Sequence, residues 1–197
     1  SGSFTARLER AAPFLRGMQR LGGAGRGKYR AHGEAGSFEL DAGIVVSELV
    51  AVWPGKDAAE GVTIVSPEAA AQLQARRFPN GRREAKVVIK SARMTLPRPA
   101  VRVEDLRIAA RSEGERLELE SASARVNGGA TTVRGGCDLA GESPRFTLTA
   151  ETRDLELSSS LAELLVSVVP LYHVPKGVEA QLGGRVSGQC ELAGPVP

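Results

Sequence analysis

The residues with the strongest claim to chemistry are Gly22-Gly23-Ala24-Gly25-Arg26-Gly27-Lys28. They fit the phosphate-binding loop pattern up to its lysine, in which backbone N–H groups cradle phosphate and the lysine meets its charge. The next residue should be Ser or Thr to hold magnesium, and it is Tyr29. Such a loop must also follow a buried strand and open a helix whose N-terminus faces the anion. Here an arginine-rich segment precedes it, and Ala31-His32-Gly33 and Gly36 follow and would break a helix. The stretch is expected to be a flexible glycine-rich connector.

The remaining reactive side chains form no constellation. His32 and His173 are far apart, and neither has a Cys or His at ligand spacing, so no metal site is expected. Cys137 has no activating base nearby in sequence, and no Gly-x-Ser-x-Gly elbow occurs. Glu118 with Glu120, and Glu104 with Asp105, read as polar strand faces or turns. Trp53 and Tyr172 are too isolated to stack nucleic-acid bases. The expectation is therefore no catalytic residue, no cofactor and no nucleic-acid partner.

Composition narrows the class. The 197 residues can bury a core without staples. Aromatics make up only 4%, so Leu, Val, Ala and Gly must supply the buried surface. Two cysteines, Cys137 and Cys190, are too few for a disulfide framework. Cys190 falls on the apolar side of its segment and reads as a small buried side chain. No stretch approaches the roughly 20 apolar residues of a membrane-spanning helix. Ser1-Gly2-Ser3 at the start, and Gly194-Pro195-Val196-Pro197 straight after a strand, read as a piece of something larger.

Net charge is +3, but the sign is uneven. From Arg76 to Arg98 the chain carries Arg76, Arg77, Arg82, Arg83, Lys86, Lys90, Arg93 and Arg98 against the single acid Glu84. Such an edge could meet phosphate on lipid headgroups or nucleic acid. The plainer reading is a solvated strand edge kept from aggregating by its charges.

The elements that would position these groups are mostly strands. Val178 to Leu192 alternates throughout, with even positions apolar or glycine and odd positions, Gly183 excepted, polar or charged. An extended chain turns such a pattern into one oily and one wet face. Shorter strand-like runs, alternating or rich in β-branched residues, cover Ser37–Asp41, Ile44–Trp53, Val62–Val65, Ala85–Leu96, Ala100–Ala109, Arg116–Val126, Ala130–Leu139 and Pro144–Thr152. Asn127-Gly128-Gly129 is a hairpin turn. In the Arg116 run the apolar phase slips from Leu117 and Leu119 to Ala122, Ala124 and Val126, which predicts a bulge near Glu120-Ser121.

Two helices are expected. Ser66-Pro67-Glu68 through Arg77 has a Ser cap, Pro at the first position, an acid in the first turn and arginines in the last. Ser160 and Glu163 form a capping box ahead of a Leu161, Leu164, Leu165, Val168 stripe. The expected fold is mainly β: an antiparallel, long-stranded curved sheet or open groove with these two short amphipathic helices. Residues 1–36 stand apart as a basic, glycine-rich segment before a β-rich region over 37–197.

Three blocks carry a resemblance: Ala124–Leu139 with its glycine turn, Phe146–Leu157 leading to the Leu161–Val168 stripe, and Leu182–Gly194. They resemble the C-terminal repeats of AsmA-like proteins, relatives of TamB and YhdP in the Gram-negative envelope. The resemblance covers about half the chain, in motifs of glycine and alternation. It implies a non-enzymatic, periplasmic, inner-membrane-anchored protein with a long β-groove that holds phospholipid acyl chains, its partners to be sought among envelope membrane proteins. In such a groove Phe146, Leu148, Ala150, Val178, Ala180, Leu182, Val186 and Leu192 would line the interior. The same residues would equally form an ordinary dry core beneath the two helices, in a self-contained interaction or scaffold domain. Both readings are open at the level of sequence.

Overall fold

The computed structural model describes residues 1–10, 18–34, 36–53, 62–97, 100–140, 144–157 and 184–195. They form one antiparallel sheet of ten strands in sequence order, with β1 and β10 as its edges. The strands are β1 (Gly2–Arg7), β2 (Arg20–Glu34), β3 (Ser37–Trp53), β4 (Val62–Arg77), β5 (Arg83–Pro97), β6 (Ala100–Glu113), β7 (Arg116–Val126), β8 (Gly129–Asp138), β9 (Arg145–Glu156) and β10 (Arg185–Pro195). A short 3-10 turn, Leu8–Arg10, follows β1. The mainly-β, antiparallel, long-stranded expectation holds, and the sheet is open.

Each strand pairs with its chain neighbours, so the topology is a meander built from local hairpins. Asn127-Gly128 is the clearest turn, with φ of 44° and 83°. Both left-handed residues suit the type I′ geometry that matches strand twist.

Two expectations are corrected. Ser66–Arg77 is not a helix but lies within β4. Its helix-start signals are real but weak, and ladders to β3 and β5 on both sides outweigh them. Ala69, Ala71, Leu73 and Ala75 alternate with Glu68, Gln72, Gln74 and Arg76, a period of two that suits a half-buried strand. Pro67 is tolerated because the β4–β5 ladder is interrupted between Val65 and Ala70. The helix expected at Leu161–Val168 lies outside the described residues.

Gly22–Lys28 is not a connector either; it is the first half of β2, paired to both β1 and β3. Its glycines serve close packing. A Cβ at Gly27 would meet the Phe4 ring and the Gly43 carbonyl well inside contact distance. The boundary drawn at residue 36 falls in the β2–β3 hairpin, where Glu34 pairs with Ser37. Residues from both sides of it therefore share one sheet.

Register decides which side chains share a face. Following cross-strand partners from β1 to β10 gives one face that includes Phe4, Tyr29, Phe38, Leu40, Ile44, Val46, Leu73, Val87, Ile89, Ile108, Leu119, Val133, Leu148 and Leu192. The opposite face carries the ionic residues. Pairs there include Arg76–Glu39 at 2.7 Å, Arg82–Glu84 at 2.7 Å, Lys86–Glu120 at 3.0 Å and Arg125–Asp105 at 2.7 Å. Of the basic run from Arg76, Arg76, Arg82 and Lys86 are thus paired with acids.

Candidate functional site

The apolar face is continuous because every strand that would lose phase corrects it with a bulge. In β7 the register shifts between Leu119 and Ala122, which keeps Leu117, Leu119, Ala122, Ala124 and Val126 on one side. This is the bulge read from the sequence. Other corrections sit at Glu48 in β3, Asp105 in β6 and Asp154 in β9, all non-glycine residues with φ of 53–54°. Glu48 lies opposite Pro67, and Asp105 lies opposite Ala92. These interruptions fall on one line across the strands, a crease at which the sheet bends.

At the crease Ser66 and Ser91 are buried, at 0% and 5% exposure, with their hydroxyls 2.9 Å apart. Ser66 Oγ lies 2.7 Å from the Glu68 carbonyl and 3.0 Å from that of Arg93, while Ser91 Oγ lies 3.1 and 2.9 Å from the same two. The hydroxyls satisfy carbonyls that the interrupted ladder leaves over.

Beyond the crease Val101 in β6 and Leu155 in β9 form a buried cluster with Leu96, Val103, Val126 and Leu157. In a flat sheet, strands three apart are separated by about 14 Å, more than two aliphatic side chains reach. The apolar face is therefore concave at this corner. Gly129 permits it, since a Cβ there would meet the Leu155 backbone at 2.4 Å.

Away from the crease most of the same face stands half-buried or exposed among the described residues. Phe4, Tyr29, Phe38, Leu117, Val186 and Leu192 are large apolar side chains that stand exposed on it, Phe38 at 45%. Ten strands at about 4.8 Å spacing make a surface about 45 Å wide. With strands roughly 30 Å long the face covers more than about 1,000 Å², well beyond the few hundred Å² of contiguous apolar patch a soluble monomer usually leaves open. Among the described residues, nothing is packed over it.

The expected lining residues fall on this face where they are described. In the β9–β10 ladder Leu192 pairs with Leu148, Cys190 with Ala150 and Gly194 with Phe146. Val186 joins the same side across the β9 bulge, opposite Leu155. Val178, Ala180 and Leu182 lie outside the described residues. Cys190 is on the apolar face as expected but exposed rather than buried, because β10 is an edge strand. Cys137 and Cys190 are both free thiols.

Most of the face went unread in the sequence: β2 through β8 contribute it as much as β9 and β10 do. The signal was present in the alternation of β3 and β4, masked in β4 by helix-start residues and in β2 by glycines.

The polar face has its own relief. An open depression near edge strand β1 is lined by Lys28, Arg30, Asp41, Gln72, Gln74 and Lys86, among others. It is shallow and mixed in character, and no cluster of His, Cys, Asp or Glu suited to a metal exists among the described residues. No described helix is long and apolar enough to cross a membrane. Compared with family models, with curated proteins and with solved structures, the chain matches none.

Proposed function

We propose that this chain is a non-enzymatic β-trough segment whose apolar face carries the acyl chains of phospholipids. The observation that supports it is one face running through all ten strands, kept in phase by bulges and left uncovered over most of its area by the described residues. Acyl chains need no directional contacts; burying them contributes roughly 0.8 kcal/mol per methylene. A surface of aliphatic side chains and glycines serves that purpose without polar anchors. The resemblance to AsmA-like repeats adds the setting: a periplasmic, inner-membrane-anchored envelope protein active in lipid transport or outer-membrane biogenesis.

The second reading is a dry-cored interaction domain, favoured by the packed corner around Val101 and Leu155. One experiment separates the two. Purified protein is examined by native mass spectrometry and lipid extraction, beside Leu148→Glu and Leu192→Glu. The trough predicts bound phospholipid in the wild type and its loss in both variants, with circular dichroism little changed and a melting temperature equal to that of the lipid-stripped wild type. Unfolding of both variants, or lipid-free wild type that takes up none when offered, favours the dry core and overturns the proposal.

A further inference from the structure

The apolar face carries charge at one place only among its described positions. Arg77, the last residue of β4, pairs with Phe38 on one side and with Arg83, the first residue of β5, on the other. Phe38 belongs to the apolar face, so register puts both arginines on that side. They sit at the hairpin rim, where Ala75 and Ala85 form the next pair inward. Both side chains are exposed, and neither makes an ion pair with a described acid. Their neighbours on the polar face behave otherwise: Arg76 holds Glu39, and Arg82 holds Glu84 and Glu113.

Two like charges directly opposite each other across strands destabilise a sheet. An anion between them would relieve that repulsion, and the guanidinium fork fits the oxygens of phosphate in bidentate fashion. Gly114 flanks Arg83 with open space above it, since a Cβ built there meets nothing within 4 Å. We propose that Arg77 and Arg83 clamp a phosphate group at the mouth of the apolar face. Its natural source is the headgroup of a phospholipid whose acyl chains lie inward along the alanines and leucines behind the pair. This assignment of the headgroup rests on the acyl-chain reading above; the anion site itself does not.

Binding is measured with dioctanoyl phosphatidate, dioctanoylglycerol of the same chains but no phosphate, and inorganic phosphate. The proteins are wild type, Arg77→Gln/Arg83→Gln, and the control Lys90→Gln/Arg107→Gln, which removes two opposed cations from the polar face. Wild type and control should prefer the phosphatidate by about tenfold or more. The Arg77/Arg83 variant should bind both lipids alike and lose its response to inorganic phosphate. Arg83→Gln alone should raise the melting temperature of the unliganded protein by about one to three degrees, as relief of like-charge repulsion requires.

Retained discrimination in the double variant, or none in the wild type, overturns the clamp while leaving the trough standing if the glycerol lipid binds. If neither lipid binds but inorganic phosphate still does so through Arg77 and Arg83, the anion site stands and the trough falls. If nothing binds, both fall.

Discussion

Ser66 and Ser91 show how a polar pair can be buried on an otherwise apolar surface. Four oxygens, two hydroxyl and two carbonyl, share two hydroxyl protons. Ser66→Ala leaves a buried carbonyl short of a donor and should cost about 1–3 kcal/mol in urea unfolding. The two serines serve the same carbonyls, so Ser66→Ala/Ser91→Ala should cost less than the sum of the single changes. Strict additivity would show that the hydroxyls act independently. A second residue-level feature is Glu9. Hydrogen bonds from its own backbone N–H and from Gly23 N–H hold its carboxyl below the usual glutamate range, the latter at 3.3 Å. Since the folded value is depressed, its contribution is present above the ordinary glutamate value and is lost as pH falls through the folded one. The Gly23 amide resonance should therefore titrate with a midpoint below that of an exposed glutamate. A midpoint at or above it would mean the bond does not form in solution.

At the scale of single strands, the bulges are what keep one face apolar. Deleting Glu120 from β7 removes the extra residue, so Leu119, Ser121 and Ala122 meet Gly135, Arg134 and Val133 one for one and both leucines keep their face. That deletion, like Glu120→Ala, removes only the pair with Lys86 and should cost less than about 1 kcal/mol in urea unfolding. Deleting Glu118 instead forces Leu117 or Leu119 onto the charged side and should cost about 1 kcal/mol or more. Equal costs for the two deletions would mean that the phase of β7 is dispensable. The β7–β8 turn offers a parallel test. Gly128→Val forces a β-branched residue to a φ of 83° and should cost about 1–2 kcal/mol by thermal melting.

For the molecule as a whole, a sheet with no described segment over its apolar side gains buried area from an occupant. Lipid that binds only the folded chain stabilises it by mass action. At a hundredfold its Kd it adds about 2.7 kcal/mol, which corresponds to a rise in Tm of about 5–10 °C for a chain of this size. Stripping the protein of lipid and adding back dioctanoylglycerol should reproduce that rise. A Tm that ignores the lipid would place the stability elsewhere and count against the trough. Raising salt should matter much less, because the ion pairs of the polar face are exposed and contribute little each.

Alternation along β3, β5, β7 and β9, the Asn127-Gly128 turn and the β7 phase slip were all legible in the chain, because a period of two and a type I′ turn are local properties. The strand at Ser66–Arg77 was not, since its end signals favour a helix and only ladders from two partners reverse them. Nor was the role of the glycines in β2, which depends on Phe4 arriving from another strand. The opposition of Arg77 and Arg83 was equally hidden: the sequence shows two arginines in a basic run, while pairing and pleat set them apart from Arg76 and Arg82. Residue types and periods thus settle what each strand can bury. Which strands stand beside one another, and hence which side chains share a face, depends on register between distant segments, and register is a property of the assembled sheet.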